Sequence, residues 1–151
     1  MRSGGVASKI GPRVAGSVLC LAVAAIHLID QAGVPGSKTP QYVAIGYWVL
    51  EIVAVLTAAV LLAGWPAARA AWFVGIGVGA CPLVGYVLSR GPGLPDYSDD
   101  IGNWTEPLGL ISLAVEAVLI ILAVTIFVRS RSPRVGGQGA PGRAPLRDPA
   151  G

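Results

Sequence analysis

Four ionisable side chains interrupt stretches that are otherwise apolar enough to lie in hydrocarbon: His27 and Asp30 in the first, Glu51 in the second and Glu116 in the last. An ionised group deep in a bilayer costs at least about 3 kcal/mol on insertion scales, so each must be paired, protonated, solvated in a cavity or held near an interface. Carboxylates beside an imidazole are suited to holding a proton, a cation or a small basic ligand. His27, Glu51 and Glu116 are also an admissible donor set for a divalent metal, although no ligand-spacing motif accompanies them. The chain has one histidine, which excludes haem held by two. It carries no nucleophile paired with a base and no cofactor or phosphate-cradling motif. The reading therefore leans away from an enzyme and implies neither a cofactor nor a nucleic-acid partner.

Spacing strengthens the cluster, because residues three or four apart share a helix face. His27 shares one with Asp30 and Gln31, Tyr47 with Glu51, Tyr86 with Arg90, and Ser112 with Glu116. Counted at 1.5 Å per residue from one membrane face, His27 lies about 9 Å deep, Glu51 about 12 Å and Glu116 about 13 Å. Asp96, Asp99, Asp100 and Glu106 follow in a long connection at that same face, where only Lys38 and Arg90 are basic. The expectation is an acidic vestibule over a shared Glu51 and Glu116 site, tuned by His27 and entered past Arg90. The alternative is that these groups only hydrogen-bond between helices and hold no ligand.

The elements that must position them follow from composition. In 151 residues, 54% are hydrophobic and 13% charged, too little polar cover for a water-soluble domain. Spans of about 20 residues, enough to cross about 30 Å of hydrocarbon, are predicted over 14–33, 43–63, 70–89 and 107–128. Short connections make consecutive spans antiparallel neighbours. Aromatic residues fall into two groups at the ends of these spans: Tyr42, Tyr47, Trp48, Tyr86, Tyr97 and Trp104 at one, Trp65, Trp72, Phe73 and Phe127 at the other.

Lys and Arg cluster in residues 1–13, at Arg69 and after residue 128, which predicts both termini on the cytoplasmic side. A cleaved signal peptide ending near Ala22-Val23-Ala24 is the competing account, but the apolar run continues to Ile29. Residues 129–151 turn to Arg, Ser, Pro and Gly and are expected to form a disordered basic tail. Cys20 and Cys81 lie in spans and are expected to be packing residues. Thr105 is expected to cap the fourth helix ahead of Glu106 and Pro107. Pro82 should kink the third helix beside Tyr86. Gly75 and Gly79 form a small-residue face on that helix, for packing within the bundle or for a homo-oligomer or membrane partner.

Gly93-Leu94-Pro95, Asp99 through Leu110, Ser112-Leu113, Glu116 and Ala25-Ile26-His27-Leu28 together resemble uncharacterised four-span integral membrane proteins of high-GC, actinobacterial-type bacteria. That resemblance covers most of the chain, implies the same architecture and attaches no reaction to it. The sequence is thus read as an all-α, four-helix transmembrane bundle of a bacterial inner membrane, up-down-up-down, with both ends inside. An accessory subunit of a larger membrane complex, without a ligand of its own, is the alternative.

Overall fold

A computed structural model describes residues 4–33, 38–64 and 66–130, with side chains from Ile10 onward. Four helices make up the fold: α1 (Gly4–Asp30), α2 (Gln41–Ala63), α3 (Ala68–Arg90) and α4 (Pro107–Arg129). All four are long and apolar enough to cross a membrane. They pack as a ring in which each helix touches the next and α4 closes on α1, with a lesser contact between α1 and α3. The chain is a multi-pass membrane protein with an all-α four-helix fold.

A 23-residue helix is about 34 Å long, and the connection between α2 and α3 is only residues 64–67, so these neighbours must run antiparallel. Gly64 terminates α2 in the left-handed region at φ 65°. Helix α1 begins well before the predicted span, so much of the expected N-terminal segment is helical. Trp65 and the predicted tail beyond Ser130 lie outside the described residues.

Packing depends on small residues, as expected where lipid supplies no hydrophobic drive between helices. Cys20, Val23, Ala24, Ala54, Ala58, Val78 and Leu119 fill the middle, and Leu61, Ala71, Trp72 and Ala123 form a second layer nearer the end where α3 begins. A Cβ added to Gly16 would lie 2.6 Å from the Trp72 ring, and one added to Gly79 would lie 2.9 Å from the backbone oxygen of Glu116. Trp72 is therefore a core residue rather than part of the aromatic belt, because Gly16 leaves room for its indole between helices. Large apolar side chains such as Ile29, Phe73 and Ile121 face outward, as a lipid-facing surface requires.

Candidate functional site

The end of α1, the start of α2, the end of α3 and the start of α4 surround a cavity of about 330 Å³. At its floor, α1 and α4 bring His27 and Glu116 together. With Nδ1 of His27 donating to the Val23 carbonyl at 2.9 Å, Nε2 of the neutral ring is an acceptor, 3.9 Å from Glu116 Oε1. Ser112, one turn earlier on α4, donates to the same Oε1. Glu116 is 1% exposed, and its Oε2 has no hydrogen-bond partner among the described residues. An unsatisfied acceptor buried in this way costs about 1–3 kcal/mol, more when charged.

Above the floor, aromatic rings and paired charges form the walls. Tyr47 donates to Asp30 Oδ2, which also pairs with Lys38 at 3.0 Å. The rings of His27 and Tyr47 meet edge-on at 5.2 Å. Tyr42, Tyr86 and Tyr97 complete the aromatic lining. Two of the tyrosines already hold cations of the chain: Arg90 lies 3.9 Å from the centre of the Tyr86 ring and Lys38 lies 5.7 Å from that of Tyr47.

Arg90 organises the connection over 91–106. Its Nη2 contacts Glu106 at 2.6 Å and Nη1 approaches Asp100 at 3.6 Å, while Nε donates to the Asn103 carbonyl at 3.0 Å and its own carbonyl accepts from Gly102 N–H at 2.8 Å. Three tyrosine hydroxyls anchor the same region: Tyr42 donates to Pro95 O, Tyr86 to Trp104 O and Tyr97 to Asp100. Desolvation first, then its bond to Asp100, push the Tyr97 phenol up from its usual range, so it stays a neutral donor.

Several expectations change at this point. Glu51 does not line the cavity: it accepts a hydrogen bond from the buried Gln31 at the α1–α2 seam, so the shared Glu51 and Glu116 site is not assembled. For the same reason His27, Glu51 and Glu116 do not form a metal triad, and no other cluster of three His, Cys, Asp or Glu side chains is arranged for a metal among the described residues. Asp100 and Glu106 reach the cavity wall, whereas Asp96 and Asp99 are exposed and outside it. Asp96 instead takes φ 54° in a turn closed by the Leu94 and Tyr97 backbones, a conformation Asp tolerates. Glu106, not Thr105, is the N-cap residue of α4, and its carboxylate turns to Arg90 rather than to the helix N–H groups, because a charge-assisted bond is the stronger one. Pro82 lines the cavity within α3. Gly75 and Gly79 are both buried, with Gly79 pressed on Ile120 and the Glu116 backbone of α4; that face is used within the chain.

No family model, curated protein or solved structure matches the chain. The cavity is thus read from its own chemistry. Tyr42, Tyr97, Ser89 and Gly109 are lining residues that pattern reasoning missed. Tyr42 and Tyr97 carried a signal as aromatic residues grouped at that end, Ser89 carried none, and neither did Gly109. Its hydrogen is required by contact: a Cβ would fall 2.6 Å from Tyr86 and 3.3 Å from both Arg90 Nη2 and Glu106 Oε2.

Proposed function

We propose that the cavity binds a small organic cation, with Glu116 as its anionic partner at the floor and His27 as the adjoining proton acceptor. The observation that carries this reading is the buried Glu116 carboxylate oxygen that lacks a donor. A proton or a ligand N–H group completes it. Around it, Asp30, Asp100, Glu106 and Glu116 outnumber Lys38 and Arg90, so an entering cation meets a net negative field. The walls already stack a guanidinium and an ammonium on tyrosine rings, which is the chemistry an amine ligand needs.

Below the cavity, Cys20, Val23, Ala54 and Leu119 are fully buried, which favours a binding site over a continuous pore. This reading belongs to a bacterial inner-membrane protein with both termini cytoplasmic and the cavity opening outward, supported by Arg13, Arg69 and Arg129 at the opposite end. A cysteine at the exposed Ser98, in a Cys81→Ala background, should react with an impermeant maleimide from outside intact cells; labelling only after lysis would reverse the orientation.

The binding test is the melting temperature of the purified protein in methylammonium chloride or sodium chloride at equal ionic strength. The organic cation should raise it above the sodium value, and Glu116→Gln should abolish that difference. Equal melting in both salts for the parent would rule the reading out.

A further inference from the structure

At the other end of the bundle, a second cleft of about 580 Å³ is lined by Arg13 of α1, Arg69 of α3 and Arg129 of α4. Among the described residues no carboxylate stands near it: α1 has no Asp or Glu before Asp30, α2 none after Glu51, α3 none at all and α4 none after Glu116. None of the three arginines forms an ion pair with a described residue. Two local features hold the guanidinium groups in place. Arg13 lies over Gly64, where an added Cβ would fall 2.6 Å from its Nη1, and Arg69 lies 5.8 Å from the centre of the Phe127 ring. The cleft also includes the first residues of α3, whose N-terminus has no side-chain cap, so its free N–H groups add positive potential. Pro12, Pro66, Trp72 and Ile126 supply an apolar wall beside the charges.

We infer that this cleft binds a phosphate group, presented by an anionic phospholipid at the membrane surface. Arginine forks match phosphate oxygens two at a time, and three of them line this cleft with no anion among the described residues to satisfy them. Basic pockets between transmembrane helices hold lipid headgroups in this way. The apolar wall and the exposed Leu62, Phe73 and Val128 at this end offer a surface for the glycerol and acyl chains. The inference does not depend on what occupies the opposite cavity.

The test uses the full-length protein in neutral detergent, with melting temperature read against short-chain phosphatidylglycerol, short-chain phosphatidylcholine and inorganic phosphate. Phosphatidylglycerol should raise the melting temperature, and the concentration giving half the effect should increase at least tenfold in a variant carrying Arg13→Gln, Arg69→Gln and Arg129→Gln. The single variant Arg69→Gln, at an exposed position, should show a smaller increase and guards against a triple variant that fails to fold. A cleft-dependent shift with inorganic phosphate at the same concentrations would keep the phosphate site and overturn the lipid as its source. An equal cleft-dependent shift with phosphatidylcholine, whose phosphate is neutralised by choline, would overturn the anionic lipid as the occupant, and a phosphatidylglycerol shift unchanged in the cleft variants would overturn the phosphate site itself. So would an effect lost on replacing Arg131, Arg134, Arg143 and Arg147 by Gln but retained in the cleft variants.

Discussion

At the cavity end of the bundle, each cation has a carboxylate: Lys38 has Asp30, and Arg90 has Glu106 and Asp100. At the opposite end three arginines share a cleft that has no carboxylate among the described residues. The two ends also differ in how their charges are buried. Arg90 is 8% exposed and tied by four kinds of contact, whereas Arg69 and Arg129 are solvent-exposed. The lesson is that charge at one end belongs to the fold and at the other is left over for something else. A buried cation without its partners would be intolerable, so Arg90 must be matched within the chain. Exposed arginines impose no such demand, and their convergence needs another explanation.

Breaking the comparison begins with its strongest contrast. Arg90→Ala should destabilise the protein by about 2–3 kcal/mol, because it removes the buried guanidinium that ties Glu106, Asp100 and the Asn103 carbonyl and so releases the loop over 91–106. Arg69→Ala should change stability by no more than about 0.5 kcal/mol, as an exposed substitution. Thermal or denaturant unfolding in detergent measures both, and losses of similar size would erase the distinction between structural and spare charge.

Next in size are two glycine substitutions. Gly109→Ala and Gly79→Ala should each cost about 1–3 kcal/mol by overpacking. They should differ in function, since Gly109→Ala presses on Tyr86, Arg90 and Glu106 and should also weaken the organic-cation shift, while Gly79→Ala strikes Ile120 and the Glu116 backbone. An unchanged cation response in Gly109→Ala would separate the cavity from the Arg90 cluster.

Within the polar end, Glu116→Gln should raise stability by about 1 kcal/mol, since a neutral amide places no charge in the buried site and its carbonyl oxygen, in the place of Oε1, keeps the bond from Ser112. Glu51→Gln should stay within about 0.5 kcal/mol of the parent and leave the cation shift intact. If Glu51→Gln abolished that shift instead, the site would have to be redrawn around the α1–α2 seam.

Much of this was legible beforehand. The helices were visible in composition, because about 20 apolar residues in a row have few other solutions, and the placement of His27 and Glu116 toward one end of the bundle followed from counting along them. Azimuth was not legible. Tyr47 and Glu51 are one turn apart and share a face by spacing, yet Tyr47 reaches Asp30 in the cavity wall while Glu51 meets Gln31 behind it. Neighbours four apart on a helix differ by about 40° around its axis. That is enough to put one side chain in a cavity and the next in a seam once another helix is packed alongside.

The sequence by itself determined that this is a four-helix membrane protein, that its acidic groups gather toward one end and that most of its Lys and Arg gather toward the other. Those properties depend on residue type and on position along the chain, which hydropathy and helical rise read directly. Only the tertiary structure decided that His27 meets Glu116, that Arg90 ties down the long connection, and that Arg13, Arg69 and Arg129 border one cleft. These pairings join helices through their rotation and close approach. They are set by which small residues let neighbouring backbones come together, as at Gly16 against Trp72 and Gly79 against α4.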